Sequence, residues 1–208
     1  MSKILLVRHG ETELNSAERY WGHSDVKLSP LGLKQAERLG DRLAAERIDA
    51  VYSSDLQRAL VTAKTIASRH RLDVTTCAEL REINFGELEG LNFEEISQLF
   101  PEFTTKWKVE RSTDIEFPGG ESFNELHNRV GIFAGRLEKH KAEETVLIVA
   151  HAGVLRSLIC QLMRMGPQYI YHVRLDLGSL SILETYPMGA ILTLLNDVSH
   201  LREGVLGD

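Results

Sequence analysis

The sequence predicts an α/β fold: a three-layer α/β/α sandwich whose central sheet is mostly parallel and closes with an antiparallel hairpin at its edge. Two observations support this class. Short, wholly apolar segments with several β-branched residues are typical of strands buried on both faces of a parallel sheet. Segments with apolar residues every three or four positions, typical of amphipathic helices, alternate with them along the chain. That alternation places helices on both faces of one sheet.

The first half of the chain contains two strand–helix units. The apolar segment Ile4–Val7 predicts a strand, and the pair Ser29-Pro30 predicts the N-cap and first turn of a helix. Residues 48–52 predict a second strand, and the polar residues 53–55 begin a second helix. The first helix has an apolar face formed by Leu33, Ala36, Leu39 and Leu43. The second has one formed by Leu56, Ala59, Leu60, Ala63, Ile66 and Ala67.

The second half begins with an irregular segment. Residues 92–120 carry several aromatic side chains without a sustained period, which indicates an excursion over the sheet. Residues 146–150 predict a fully apolar strand, and residues 180–184 with 191–195 predict the closing hairpin. The helices on either side of the apolar strand would bury Phe123, Leu126, Val130, Phe133, Leu137, Val154, Leu155, Leu158, Ile159 and Leu162.

Composition predicts one soluble domain over residues 1–208, with 197–208 as a tail. The chain has 24 Lys+Arg and 30 Asp+Glu among 208 residues, a net charge of −6. This balance argues against nucleic acid or a membrane surface as a partner held by bulk charge. Because no apolar run has the length of a leader or a membrane span, we expect a cytoplasmic protein. Cys77 and Cys160 lack CxxC spacing, so we expect free thiols.

Basic residues follow the ends of the predicted strands. Arg8 and His9 follow the first strand, Arg58 lies one helical turn beyond the second, and His151 directly follows a later one. The carboxyl ends of parallel strands meet at one edge of an open α/β sheet, where ligands bind. Two imidazoles and two guanidiniums at that edge indicate a phosphate site, because a guanidinium donates parallel hydrogen bonds to phosphoryl oxygens. Asn15 would add a neutral donor.

These residues belong to a series of motifs spread over most of the chain. The motifs are Arg8-His9-Gly10-Glu11-Thr12, Asn15, Ser53-Ser54-Asp55-Leu56-Gln57-Arg58-Ala59, Leu80-Arg81-Glu82 with Gly86 and Glu89-Gly90, Pro118-Gly119-Gly120-Glu121-Ser122, and Val149-Ala150-His151-Ala152-Gly153. The series resembles that of the histidine phosphatase superfamily, which includes the cofactor-dependent phosphoglycerate mutases. The resemblance implies a phosphoglycerate mutase-like domain with residues 92–120 over the active site. Within the superfamily the chain is most similar to the alpha-ribazole phosphatases.

The resemblance also implies a phosphohistidine mechanism. His9 would attack phosphorus as a neutral imidazole, and water would later cleave the phosphohistidine. Glu82 would donate a proton to the leaving alkoxide and later accept one from water; a plain alternative is a surface carboxylate paired with Arg81. Neither a metal nor another cofactor is required. Phosphate binding would involve Arg8, Asn15, Arg58 and a protonated His151. Candidate substrate-binding residues are Thr12, Trp21, Gly22 and Ala152.

The superfamily contains both mutases and phosphatases. Its mutases resemble this chain but carry a longer, more basic insertion after the region of Glu82, whereas here the segment is short and its cations alternate with carboxylates. We therefore expect a phosphomonoesterase of the histidine acid phosphatase type that acts on a small phosphorylated metabolite, with alpha-ribazole 5′-phosphate of cobalamin biosynthesis as a candidate. The alternatives are a broad-specificity, phosphoserine or phosphosugar phosphatase, a phosphoglycerate mutase, and an inactive phosphate-binding scaffold. The oligomeric state stays open, a homodimer included.

Overall fold

The computed structural model describes residues 2–14 and 19–202, and a six-stranded sheet forms its centre. The strands are β1 (Lys3–Arg8), β2 (Ala50–Ser53), β3 (Val74–Thr76), β4 (Thr145–Ala150), β5 (Leu180–Tyr186) and β6 (Gly189–Asp197). They run in the order β3-β2-β4-β1-β5-β6. The first four in this order are mutually parallel, whereas β5 is antiparallel to β1 and to β6.

Helices cover both faces of the sheet. They are α1 (Pro30–Leu43), α2 (Gln57–Ser68), α3 (Phe93–Leu99), α4 (Pro101–Thr104), α5 (Phe123–Leu137) and α6 (Ala152–Leu162). A π-helical turn over Thr105–Val109 continues α4. Shorter 3₁₀ turns occupy Ala78–Leu80, Gly86–Leu88, Pro167–His172 and Ser199–Leu201.

Each face of the sheet has its own apolar core. In β1, the side chains of Leu5 and Val7 pack with α1 and α2, whereas Ile4 and Leu6 pack with α5 and α6. The alternation follows from the pleat, which points successive side chains of a strand to opposite faces. The predicted three-layer α/β fold with an antiparallel edge hairpin is confirmed.

Strand register brings three loops to one edge of the sheet. Arg8 at the end of β1 is paired with Ala150 at the end of β4, and Ser53 at the end of β2 is paired with Val149. The backbone N–H of His9 donates to the carbonyl of Ala150 over 3.1 Å. The residues that follow these strands therefore leave the sheet side by side, as the sequence predicts.

The predicted apolar face of α1 is wrong at one position. Leu33 is 48% exposed, while Gly32, Ala36 and Leu39 face the core. The helix approaches the loop after β1 so closely that a Cβ on Gly32 would stand 1.9 Å from the carbonyl oxygen of Glu11. This close packing against the site loop sets the rotation of the helix and turns Leu33 outward.

Two further elements carried weak signals in the sequence. β3 is three residues long with largely exposed side chains, so it has no apolar run. Within residues 92–120, α3 begins with a capping box in which the side chains of Asn92 and Glu95 bond reciprocally to backbone N–H groups. The Asn-x-x-Glu spacing was the available signal for this helix.

Two smaller expectations can be compared with the structure. Cys77 and Cys160 are buried free thiols, as expected. Across residues 2–14 and 19–202, no helix combines the length and apolar character that a membrane crossing needs. Asn15 and positions 203–208 of the predicted tail lie outside the described residues.

Candidate active site

A cavity of about 350 Å³ lies at the edge of the sheet where β1, β2 and β4 end. Its lining includes the predicted residues Arg8, His9, Thr12, Trp21, Arg58, Glu82 and Ala152. His151 lies directly behind His9, with 5.0 Å between the two ring centroids. Gly22 contributes through its backbone carbonyl, which accepts a hydrogen bond from Arg58. The structure thus brings together all the predicted site residues that it describes.

His9 is held in one orientation by a backbone group. Its Nδ1 lies 2.7 Å from the carbonyl oxygen of Gly10, and because a carbonyl can only accept, Nδ1 carries the proton. The lone pair is then on Nε2. Burial, reinforced by Arg58 and Arg8, holds the pKa of His9 well below its usual value. His9 therefore presents an unprotonated Nε2, the form that a nucleophile requires.

Arg58 sets the protonation of the second histidine. The Nε–H of Arg58 donates to Nδ1 of His151 over 3.2 Å, which leaves the imidazole proton on Nε2. This Nε2 is buried and has no hydrogen-bond partner among the described residues. Burial and Arg58 together hold the pKa of His151 well below its usual value. In the free protein His151 is therefore a neutral imidazole that offers its Nε2–H, whereas protonation of the ring with phosphate bound stays a prediction.

The Arg58 side chain is also fixed by a loop. Its two terminal nitrogens donate to the carbonyls of Ser24 and Gly22 over 2.8 and 2.7 Å. The carboxylate of Glu89 in turn accepts from the backbone N–H groups of His23 and Ser24. Burial lowers the pKa of Arg58. Because carbonyl acceptors orient a guanidinium without neutralising it, Arg58 keeps its charge in a fixed position.

Arg8 supplies the second guanidinium. Its Nη1 donates to the carbonyl of Leu175 over 2.6 Å. Its Nε is buried and lacks a hydrogen-bond partner within the described ranges. Burial lowers the pKa of Arg8 to about 10, so the group remains charged at neutral pH. A buried N–H group that has no acceptor and lies next to a cavity is suited to bind an anion.

Glu82 is placed by the first turn of α6. Its Oε1 and Oε2 accept from the backbone N–H of Gly153 over 3.1 and 3.2 Å, and Oε1 accepts from that of Ile83 over 3.0 Å. A Cβ on residue 153 would stand 2.5 Å from Oε1, so glycine is needed for this approach. Arg81 forms two hydrogen bonds with Asp55 and does not pair with Glu82. The plain alternative of a surface Glu82–Arg81 pair is thus wrong.

Comparison with known proteins assigns the family. A family model described as the histidine phosphatase superfamily, branch 1, matches residues 4–198. The chain belongs to the histidine phosphatase superfamily. It is 35% identical to phosphoserine phosphatase 1 of Hydrogenobacter thermophilus over 98% of this chain and 96% of the relative. It is 33% identical to the adenosylcobalamin/alpha-ribazole phosphatase of Escherichia coli K12 over 93% of this chain and 95% of the relative.

A solved structure agrees with the family assignment. The crystal structure of the alpha-ribazole phosphatase from Shigella flexneri matches with a TM-score of 0.86 and 33% identity, and the match covers 94% of this chain and 96% of that one. The histidine phosphatase fold and the predicted resemblance to this superfamily are therefore confirmed.

A positioning residue of this histidine phosphatase escaped the sequence analysis. Arg129 on α5 donates to the carbonyls of Arg81 and Glu82 over 2.7 and 2.8 Å, and it pairs with Glu121 over 2.6 Å. It thereby fixes the backbone that carries the Glu82 carboxylate. Glu121 belongs to a motif in the sequence, whereas Arg129 lies in an ordinary helical pattern that gives no signal.

Several cavity residues were also missed as site residues. They include Tyr20, Phe85, Trp107, Lys108, Arg156 and Tyr171. Arg156 could have been found, because it lies one helical turn after Gly153 and so shares its face of α6. Lys108 comes from the 92–120 segment, where it is one of several mixed charges. In the described part of the chain, no group of three or more His, Cys, Asp or Glu residues is arranged to hold a metal.

Proposed function

We propose that this histidine phosphatase is a phosphomonoesterase that hydrolyses a small phosphorylated metabolite through a phosphohistidine at His9. The observation that carries the proposal is the hydrogen bond from His9 Nδ1 to the Gly10 carbonyl, which leaves an unprotonated Nε2 in a cavity lined by Arg8 and Arg58. A scaffold that only binds phosphate would need the cations. It would not need a histidine whose Nε2 lone pair is available for attack.

In the first step, Nε2 of His9 attacks phosphorus while the bond from phosphorus to the ester oxygen breaks. Glu82, as the carboxylic acid, gives its proton to the departing alkoxide, and the alcohol leaves. Arg8 and Arg58 bind the phosphoryl oxygens, and the buried Nε2–H of His151 adds a neutral donor. Phosphoryl transfer depends mainly on such positioning and charge stabilisation. Asn15, outside the described residues, is proposed as a further donor.

In the second step, water attacks the phosphohistidine. The Glu82 carboxylate takes a proton from the water, the new oxygen–phosphorus bond forms, and the nitrogen–phosphorus bond breaks. Inorganic phosphate leaves, His9 returns to its neutral form, and Glu82 is again protonated. All protons and bonds balance without a metal ion or another cofactor, so we propose that none is required.

The substrates named for relatives suggest two candidates. One relative is named a phosphoserine phosphatase, and another is named an adenosylcobalamin/alpha-ribazole phosphatase. We propose O-phosphoserine and alpha-ribazole 5′-phosphate as the first compounds to test, the second with a role in cobalamin biosynthesis. Thr12, Trp21 and Ala152 line the cavity and would contact the leaving alcohol.

The test is turnover of p-nitrophenyl phosphate in the presence of EDTA. We expect full activity, competitive inhibition by vanadate, and, after a rapid quench under non-acidic conditions, labelled phosphate on His9. Activity that requires an added divalent ion, or label recovered on a serine or aspartate, would overturn the proposal. Binding of phosphate with no turnover of any monoester would favour the scaffold alternative.

A further inference from the structure

Two cations in the cavity have no role in the proposed phosphoryl transfer. Lys108 and Arg156 both line it, and neither forms an ion pair with a carboxylate within the described residues. The buried Nε of Arg156 has no hydrogen-bond partner in the part of the chain that the structure describes. Arg19, a third cation in the lining, is different, because it is bound to Glu95 over 2.7 Å.

The two cations come from different elements of the fold. Arg156 is on α6, one turn beyond the residue that binds Glu82, and its charge is felt at both Glu82 and Arg8. Lys108 is on the turn Thr105–Val109, with Nζ 3.7 Å from the centroid of the Trp107 ring. Although residue 108 as a whole is exposed, this ammonium group lies against aromatic rings. Both charges therefore act on the same part of the cavity, which also contains Glu82.

Two of the aromatic side chains nearby, Trp107 and Phe117, do not offer an open face for stacking. Trp107 is 5% exposed and Phe117 is fully buried, and their rings pack edge to face with 5.1 Å between centroids. The Lys108 ammonium lies over the Trp107 ring and also 5.2 Å from the Tyr20 ring centroid. A cation covers the ring face on which a planar base would otherwise stack. This end of the cavity is thus better suited to an anion.

We propose that Lys108 and Arg156 form a subsite for an anionic group carried by the leaving alcohol. The preferred substrates are then small phosphomonoesters with a second anion, either a carboxylate or a second phosphoryl group, which favours O-phosphoserine over alpha-ribazole 5′-phosphate. A cavity of about 350 Å³ suits molecules of that size. This inference rests on the proposed function, because the alcohol is the one released when His9 is phosphorylated.

The test compares 3-phosphoglycerate with glycerol 1-phosphate, which has a hydroxymethyl group in place of the carboxylate. We expect kcat/KM to be about tenfold or more higher for 3-phosphoglycerate, the usual size of a charge-assisted contact. In Lys108→Met and in Arg156→Gln the ratio of the two kcat/KM values should fall by about tenfold, because KM for 3-phosphoglycerate rises. Arg156→Lys, which retains the charge, should restore part of it. Propane-1,3-diol bisphosphate shows whether a second phosphoryl group serves better than the carboxylate.

The matched control is Lys106→Met, an exposed lysine on the same turn that does not line the cavity. It should leave the ratio unchanged. Equal kcat/KM for both esters in the wild type, or a ratio that survives both Lys108→Met and Arg156→Gln, would overturn the subsite while the phosphatase proposal stands. If no ester is turned over, dissociation constants of the two esters for His9→Ala still decide the matter, because a ratio near one contradicts the subsite.

Discussion

The two ends of the cavity hold their cations in different ways. At the phosphate end, the carbonyls of Leu175, Gly22 and Ser24 accept hydrogen bonds from Arg8 and Arg58. At the leaving-group end, Lys108 rests on aromatic rings, and within residues 2–14 and 19–202 neither the Lys108 nor the Arg156 side chain donates to a backbone carbonyl. Backbone acceptors fix charge in advance, as transition-state stabilisation requires. Side chains without such acceptors can adjust to a ligand, which suits selection among leaving groups.

Removing the nucleophile tests the phosphate end most strongly. His9→Ala should lower kcat to below about 10⁻⁴ of the wild-type value, because no other group forms the phosphohistidine. Phosphate should still bind, since Arg8, Arg58 and His151 remain. Steady-state kinetics and calorimetry with phosphate measure the two effects. Turnover above about 1% of wild type would place the nucleophile elsewhere.

The second-largest effect should come from Glu82 and depend on the leaving group. Glu82→Gln should slow phosphorylation by an alkyl phosphate about 10²- to 10⁴-fold, the size of general acid catalysis. With p-nitrophenyl phosphate, whose phenolate departs without help, the loss should be much smaller. Burst kinetics must separate phosphorylation from hydrolysis, in which Glu82 is the base. An equal loss for both leaving groups would mean that Glu82 only positions the site.

A methyl group added at residue 153 should produce the same dependence on the leaving group as Glu82→Gln, with a smaller loss of rate. In Gly153→Ala the new Cβ would meet Oε1 of Glu82 at 2.5 Å, and the flexible carboxylate would move. We expect a loss of about 10²-fold with alkyl phosphates, typical of a misplaced catalytic group. The control is Gly135→Ala on α5, where a Cβ meets no atom of the described residues within 4 Å. It should keep full activity and raise stability by about 0.5–1 kcal/mol.

The smallest effect concerns pH at the leaving-group end. Burial and the nearby Arg156 lower the pKa of Lys108 to about 8, and Tyr20 is the other titratable group that faces it. Lys108 is charged below this pKa and neutral above it, so preference for an anionic ester should decline as pH rises. The kcat/KM ratio of 3-phosphoglycerate to glycerol 1-phosphate should fall several-fold between about pH 7 and pH 9.5.

The matched control for this profile is Lys108→Met, in which the ratio should not change with pH over the same range. Phosphoryl ionisation is nearly the same in the two esters and cancels in the ratio. A ratio that rises with pH in the wild type, or a profile that Lys108→Met leaves intact, would contradict the assignment to Lys108.

Sequence patterns predicted the phosphate end far better than the leaving-group end. Arg8, His9 and His151 directly follow apolar strands, and the edge where parallel strands end brings them together whatever their separation in sequence. Lys108 and Arg156 line the same cavity only because of the path of the 92–120 segment. That segment has no sequence periodicity from which its path could be predicted. The protonation state of His151 could not be predicted from the sequence either, because it depends on which ring nitrogen Arg58 contacts in the folded protein.

The two neighbouring imidazoles carry opposite tautomers, with the proton on Nδ1 in His9 and on Nε2 in His151. Each tautomer is set by a partner on the ring's other nitrogen. The Nε2 lone pair that could accept a phosphoryl group therefore exists on His9 alone of this pair. We therefore expect no migration of a phosphoryl group from one ring to the other, although their centroids are 5.0 Å apart. The proposed phosphohistidine would thus have a single regiochemistry, which nitrogen NMR of the phosphorylated protein would record as one N–P linkage.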